Sequence, residues 1–325
     1  MKVTDKDFRK MVQSELRKIR RAFPKNLSDE LGIGRFHLSL LDDMTYLIKD
    51  RHAESRLNIK NNEELSKQSQ LALIGLISVG YLCLAIDLRE DSSSGRTLLP
   101  ADFIKPEVTV DPNLIIRSFL VQIVNHGLSI LELVNCGLDN SARVLVRVLN
   151  ETSWLSLVLF SSRTKLIQYS SHINDPEKEK EIWRKSFSLG QLTKELINLE
   201  SRFGLPNDIV RAIGDTRNEL YRAYSQSIHS SYVPTVLGSF GLPFSNSEDE
   251  IMSFSLFGTA TKASNGTLED LNWCLFYYHL MFFAITKEIH KYKATPHNEL
   301  WRAAYALSIC YRHIYLSEYK KKFDE

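Results

Sequence analysis

The chain has 325 residues, 43% hydrophobic and 25% charged, which are the proportions of an ordinary folded protein and exclude a disordered or fibrous one. Only 14 glycines and 9 prolines interrupt long stretches of Leu, Glu, Lys, Arg and Ala, so the protein reads as mostly helical. A net charge of +2 names no partner, and Cys83, Cys136, Cys274 and Cys310 form no C-x-x-C pair, so they read as reduced thiols of a cytoplasmic protein.

The opening MKVTDKDFRK has no apolar core of the signal-peptide kind. Thr4 to Phe23 follows an amphipathic helical pattern, with Phe8, Val12, Ile19 and Phe23 near one stripe, and Pro24 stops it. Up to Lys25 there are nine basic residues against three acidic ones. Arg17, Lys18, Arg20 and Arg21 are therefore candidates for contacting nucleic-acid phosphates. An anionic membrane surface, an acidic partner or plain solvation of a docked helix would use the same charges.

Leu38 to Arg51 and Asn62 to Leu88 are expected to be helical, the second after the polar Asn61-Asn62 start. Within it, Leu71 to Ile86 is largely apolar. Sixteen helical residues reach only about 24 Å, short of the roughly 30 Å hydrocarbon core, so a buried helix is expected and a membrane span is not. Glu90 to Pro112, with Ser92-Ser93-Ser94-Gly95 and three prolines, reads as a long connection.

Asp111-Pro112 opens a helix that runs to Cys136 and ends at Gly137. The next, from Asn140 or Ser141 to about Tyr169, is apolar around most of its circumference, which marks a central helix. Asp175-Pro176 opens another, ending near Phe203-Gly204, and the helix after Pro206 runs to Pro234. Val233 to Thr267 lacks helical character, and Ile251 to Phe257 alternates like a short strand. Leu268 to Tyr292 and Pro296 to Tyr319 complete the chain, with Trp273 to Ile285 as core despite His279. The expected fold is all-α: an N-terminal helical region and linker over 1–110, then a helical-bundle core over 111–325 with one β-like loop insertion near 233–267.

Two sets of polar residues stand out. Arg222 and His229 are seven apart, hence about 20° apart around a helix, with Ser225 between them and Asn218 extending the stripe. Ile213, Leu220, Tyr224 and Ile228 occupy the opposite face, so the stripe is either a solvated surface or one wall of a cleft. In a cleft, His229 would act as general base or acid and Arg222 would hold a phosphate. Arg147 and Glu151, four apart on the otherwise apolar helix, must each find a partner. Either they lock two helices together, or Glu151 reaches the same cleft as His229. His126 and Glu132 on the preceding helix could also face inward, where a hydrogen-bonded core histidine is expected rather than a ligand. No G-x-x-x-x-G-K-[ST], H-E-x-x-H or G-x-S-x-G motif occurs, and no Glu-x-x-His pair, so neither a metal nor a cofactor is expected.

Ala142 to Glu151 resembles the small-x-x-Leu-x-Arg-x-x-x-Glu helix of a bacterial helical family known only as a domain of unknown function. Tyr224-Ser225-Gln226-Ser227-Ile228-His229-Ser230-Ser231 is similar to that family's later Ser-x-x-x-His-small motif. Arg222-x6-His229 also resembles the Arg-x(4–6)-His signature of the HEPN (higher eukaryote and prokaryote nucleotide-binding) superfamily. That resemblance implies a metal-independent ribonuclease of a toxin–antitoxin or anti-phage system. Arg222 and His229 would be catalytic, with Ser225, Asn218, Arg147 and Glu151 supporting them. It further implies RNA as substrate, a homodimer with a composite site and a partner protein from the same operon. Ala223 departs from the pattern, since active members usually carry a polar residue after the arginine. The alternatives are a non-catalytic binding or regulatory module, and membrane association through Leu71 to Ile86.

Overall fold

The computed structural model describes residues 6–22, 25, 39–87, 112–171, 175–228, 240–241, 253–254, 258, 261, 263–292 and 299–324. Eleven α-helices occur among them: α1 Lys6–Ala22, α2 Ser39–Asn61, α3 Glu63–Asp87, α4 Pro112–Asn135, α5 Asp139–Ser161, α6 Arg163–Ser170, α7 Pro176–Ile182, α8 Leu189–Arg202, α9 Asn207–Ile228, α10 Ala263–Ala284 and α11 Glu299–Asp324. Short π-helical turns follow α7 (Trp183–Phe187) and α10 (Ile285–Ile289). The protein is an all-α helical bundle. Its one extended pairing among the described residues joins β1 (Phe240–Gly241) to β2 (Ser253–Phe254), antiparallel, inside the insertion read from the sequence.

Local chemistry sets the helix ends. Gly137 sits at φ 72°; its N–H donates to the Val134 carbonyl and that of Leu138 to Leu133, closing α4 with two bonds that need a left-handed residue. Gly204, at φ 76°, ends α8 in the same way through Ser201 and Glu200. Asp175 caps α7 by accepting from the Lys178 N–H, with Pro176 at the first helical position. Asn62 takes the Leu65 N–H and separates α2 from α3.

Two expected helices are divided. Ser162 adopts an extended backbone (φ −141°, ψ 111°) and caps α6, so the segment from Asn140 to Tyr169 is two helices. Ser188, at ψ 155°, and the π turn before it split the segment from Pro176 to Phe203 into α7 and α8. At Ser162 the hydroxyl offers the backbone another partner, the Lys165 N–H, whereas Ser188 makes no side-chain cap and breaks the helix through its extended ψ alone.

Every residue from Thr152 to Phe160 is buried, so α5 is the central helix that its apolarity predicts. It packs on α4, α10, α9 and α8, while α3 packs on α4, α10 and α11. Leu71, Leu76, Val79 and Leu82 of α3 belong to the same hydrophobic core as Leu149, Leu157, Leu271 and Phe282. A helix ahead of residue 110 is thus integral to the bundle, and the core reaches back across the linker. Polar bonds fix its register: the Ser78 hydroxyl donates to the Ala304 carbonyl, Asn272 Nδ2 to that of Gln68, and Tyr311 to that of Asn272. His279 Nε2 lies 3.0 Å from the Gly75 carbonyl, and burial pulls its pKa down to about 4, so it is a neutral core histidine.

The run Leu71–Ile86 lies inside a 25-residue helix, which removes the length argument against its crossing a bilayer. By length and composition α3, α4 and α5 are each long and apolar enough to do so, their most apolar 18-residue stretches having mean hydropathies of 2.0, 1.5 and 1.3. Within the bundle, 56% of that stretch in α3 and 67% of that in α5 are buried. Leu73, Ile77 and Leu84 of α3 and Leu114, Val121 and Leu128 of α4 remain exposed.

Candidate functional site

One turn apart on α5, Arg147 and Glu151 face the same side. Arg147 Nε donates to Glu151 Oε1 at 2.9 Å, and Nη2 donates to the Tyr221 hydroxyl of α9 at 2.9 Å. The guanidinium carbon stands 4.5 Å from the centre of the Tyr221 ring, close enough for cation–π attraction as well. The Arg147 side chain is 17% exposed and that of Glu151 43%, so the carboxylate is the solvent-facing member. The pair bridges helices and also lines a cavity. The helix-locking role read from the sequence is present; whether Glu151 shares a cleft with His229 falls outside the described residues.

That cavity measures about 490 Å³, within the usual range for small-ligand sites. Phe119 and Gln122 of α4, Tyr169 of α6, and Trp183 and Phe187 of the π turn form much of its wall, with Ser188 beside them. The aromatic rings brace one another: Tyr169 and Phe187 meet edge to face at 88° with centroids 5.7 Å apart, and Phe119 meets Tyr169 at a tilt of 54° and 5.8 Å. The lining thus combines flat aromatic rings with a cation, a carboxylate and the Tyr221 phenol.

The remaining candidates fall elsewhere. Arg222 and Asn218 are exposed on α9, as the pattern of its apolar face predicts, and neither lines the cavity; Tyr221 does. The Ser225 hydroxyl donates to the Tyr221 carbonyl at 2.5 Å and is committed to its own helix. His229 lies outside the described residues, and with it the second half of the Arg222–His229 stripe. On α1, Arg17, Lys18 and Arg21 are exposed, Lys18 pairs with Glu15 at 2.7 Å, and the side chain of Arg20 lies outside the described residues. Glu132 pairs with Arg56 across the surface.

Two polar clusters escaped sequence reasoning. Glu200 of α8 and Arg217 of α9 form a fully buried, two-bonded ion pair, Nη1 to Oε1 at 2.5 Å and Nη2 to Oε2 at 3.2 Å. Tyr277 of α10 accepts from Arg217 Nη1 at 2.7 Å and donates to Glu200 Oε1 at 2.5 Å. A signal existed: Val210, Ile213, Arg217, Leu220 and Tyr224 recur at helical spacing, which puts Arg217 on the apolar stripe. In the second cluster Tyr224 donates to Asp270, and the hydroxyls of Thr261 and Ser264, at the start of α10, donate to Asp139, the first residue of α5. Burial pushes both carboxyls up to about 6 despite these bonds and the nearby Arg143. Among the described residues no group of His, Cys, Asp and Glu could hold a metal ion.

No protein-family model, no curated protein and no solved structure matches this chain. The likeness to the helical family and to the HEPN superfamily thus rests on the quoted segments alone.

Proposed function

We propose that the protein is a cytoplasmic, HEPN-like RNA-binding module that receives a base of single-stranded RNA in the Arg147–Glu151 cavity. The observation that carries this reading is the pairing of an aromatic wall with an arginine–carboxylate edge in one open hollow. Bases stack on aromatic rings with a gain of about 1–3 kcal/mol each. Trp183, 47% exposed, offers such a face. Glu151 Oε1 is occupied by Arg147, which leaves Oε2 to accept from an exocyclic amine, while Arg147 draws the negative strand.

A second reading, RNA cleavage, is favoured by the exposure of Arg222 on the helix that supplies Tyr221. In it Arg222 stabilises charge on the attacked phosphate and His229 takes the proton of a ribose 2′-hydroxyl, with no metal or cofactor. The site is then shared by a homodimer, and an operon partner restrains it.

One experiment addresses both. Short single-stranded RNA and free mononucleotides are titrated against the full chain, following tryptophan emission, and the same mixtures are run on a denaturing gel. The expected result is quenching by RNA that Trp183→Ala weakens about tenfold or more and Glu151→Gln also weakens. Equal binding by wild type and Trp183→Ala, or no binding of any nucleotide, overturns the base pocket. Cleavage by wild type that is absent in His229→Ala supports the second reading, and equal inertness of the two removes it.

A further inference from the structure

A second cavity, of about 330 Å³, lies between the end of α10, its π turn and the start of α11, and shares no residue with the first. Its wall is an aromatic cage. Phe283 meets Trp301 at 61° and Tyr305 at 65°, and Tyr292 meets Trp301 at 68°, with centroids 4.8–5.4 Å apart. These edge contacts brace the rings and leave flat faces to bound a hollow. The backbone beside it is unusual on two counts. Helix α10 widens into a π turn over Ile285–Ile289, and Lys291 sits at φ 50°, in the left-handed region a lysine seldom adopts.

The electrostatics of this cavity are one-sided. Among the described residues, its charged lining residues are Lys287 and Arg312, and no carboxylate lines it. Arg312 is half-buried, and burial lowers its pKa. Its guanidinium donates through Nε to the Ser308 carbonyl at 3.3 Å and forms no ion pair among the described residues. Residues 293–298, which join Tyr292 to Glu299, contain no Asp or Glu that could supply a counter-ion. The Lys287 ammonium lies 3.5 Å from Glu288 and is largely exposed at the mouth. A partly desolvated cation without a counter-charge is costly unless something anionic visits it.

We propose that this cavity binds a small aromatic carboxylate, its anionic group held by Arg312 with Lys287 at the rim and its ring inserted among Phe283, Trp301 and Tyr305. The guanidinium fork matches a carboxylate with two parallel bonds, and the cage matches a flat apolar body. Arg312 lies seven residues after Tyr305 and eleven after Trp301, close in phase on α11, so one helix face presents both the cation and the rings.

The test uses the intact protein and three non-fluorescent probes: phenylacetate, phenyl phosphate and phenethylamine. Isothermal titration gives affinity, Trp301 emission reports occupancy, and thermal unfolding reports stability. Phenylacetate is expected to bind with a Kd of roughly 1 mM or tighter, to raise the melting temperature and to perturb the emission. Phenyl phosphate binding alongside it supports the same anion site, whereas phenethylamine should not bind. Arg312→Met is expected to lower phenylacetate affinity at least about tenfold while the unliganded melting temperature holds or rises, because a lone half-buried charge has been removed. Tyr305→Ala, at an exposed position, should weaken binding without loss of fold and tests the site should Arg312→Met not fold. The proposal is overturned if phenylacetate does not bind, if phenethylamine binds equally well, or if neither substitution alters affinity.

Discussion

Replacing Arg217 with methionine isolates the energetics of the buried ion pair. Arg217 is 1% exposed and Glu200 0%, and two Arg–Glu bonds and two Tyr277 bonds close the network. Removing the guanidinium leaves a carboxylate in the core with the Tyr277 hydroxyl as its remaining donor. Breaking such a pair from one side costs about 3–5 kcal/mol, a large fraction of a typical folding free energy. The variant carries a second signature. A buried carboxyl without its counter-ion has a raised pKa, so above the ordinary value near 4.3 the folded state holds a proton that the unfolded state has lost. Stability of Arg217→Met is therefore greatest at low pH and declines as pH rises, by about 1.4 kcal/mol per pH unit in that window. Urea denaturation followed by circular dichroism at several pH values measures both effects. Glu200→Gln combined with Arg217→Met should recover much of the loss, since no charge then remains buried. A single variant that loses less than about 1 kcal/mol, or that follows the wild-type pH dependence, would refute the assignment of Glu200 and Arg217 as a charged pair.

Asp270 gives a separate pH effect. Its carboxyl is raised to about 6, so its favourable contribution is present below pH 4 and is lost as pH rises through 6. Asp270→Asn still accepts from Tyr224 but does not ionise, so its stability relative to wild type should improve by about 2–2.5 kcal/mol between pH 4 and pH 7.5. Equal pH profiles for the two proteins would show that the carboxyl is solvated. Two glycines provide a paired test of packing. A Cβ on Gly127 would lie 2.3 Å from Leu76 Cδ2, and Leu76 is itself 1% exposed, so Gly127→Ala should destabilise by about 1–3 kcal/mol despite better helix propensity. At Gly80 of α3 a Cβ would meet nothing within 4 Å among the described residues, so Gly80→Ala should stabilise by about 0.5–1 kcal/mol.

The helices were legible in the sequence because their punctuation is local. Gly137, Gly204 and the Asp175-Pro176 pair each act through bonds within a few residues of themselves. The breaks at Ser162 and Ser188 were not, because serine also occurs within helices and neither position carries an adjacent Gly or Pro to mark it. Arg147 and Glu151 could be singled out because charges on an apolar helix demand a partner. That the partner would be Tyr221, 74 residues on, depends on how α9 is rotated against α5. Arg217 was hidden for a related reason. Asp215, Glu219 and Arg222 surround it with charge, and only its phase with Val210, Leu220 and Tyr224 separates it from the solvated residues. The aromatic wall of the cavity gathers residues from α4, α6 and the π turn, so no single stretch of sequence contains its pattern.

The rotation of α9 bears on which RNA chemistry the molecule can support. Arg217, Tyr221 and Tyr224 lie three or four residues apart on one stripe, and each is tied to a different neighbour: Glu200 of α8, Arg147 of α5 and Asp270 of α10. Three anchors along two turns leave that helix little freedom to roll. Arg222 follows Tyr221 by about 100° around the axis, so while the anchors hold, its side chain faces away from the Arg147–Glu151 cavity. Arg222 and the cavity therefore belong to different surfaces of the chain. On the proposed reading, base capture would draw on one chain alone. Strand cleavage through Arg222 would need facing groups from outside that surface, which is what a composite homodimer site of the kind the Arg222–His229 resemblance implies would supply.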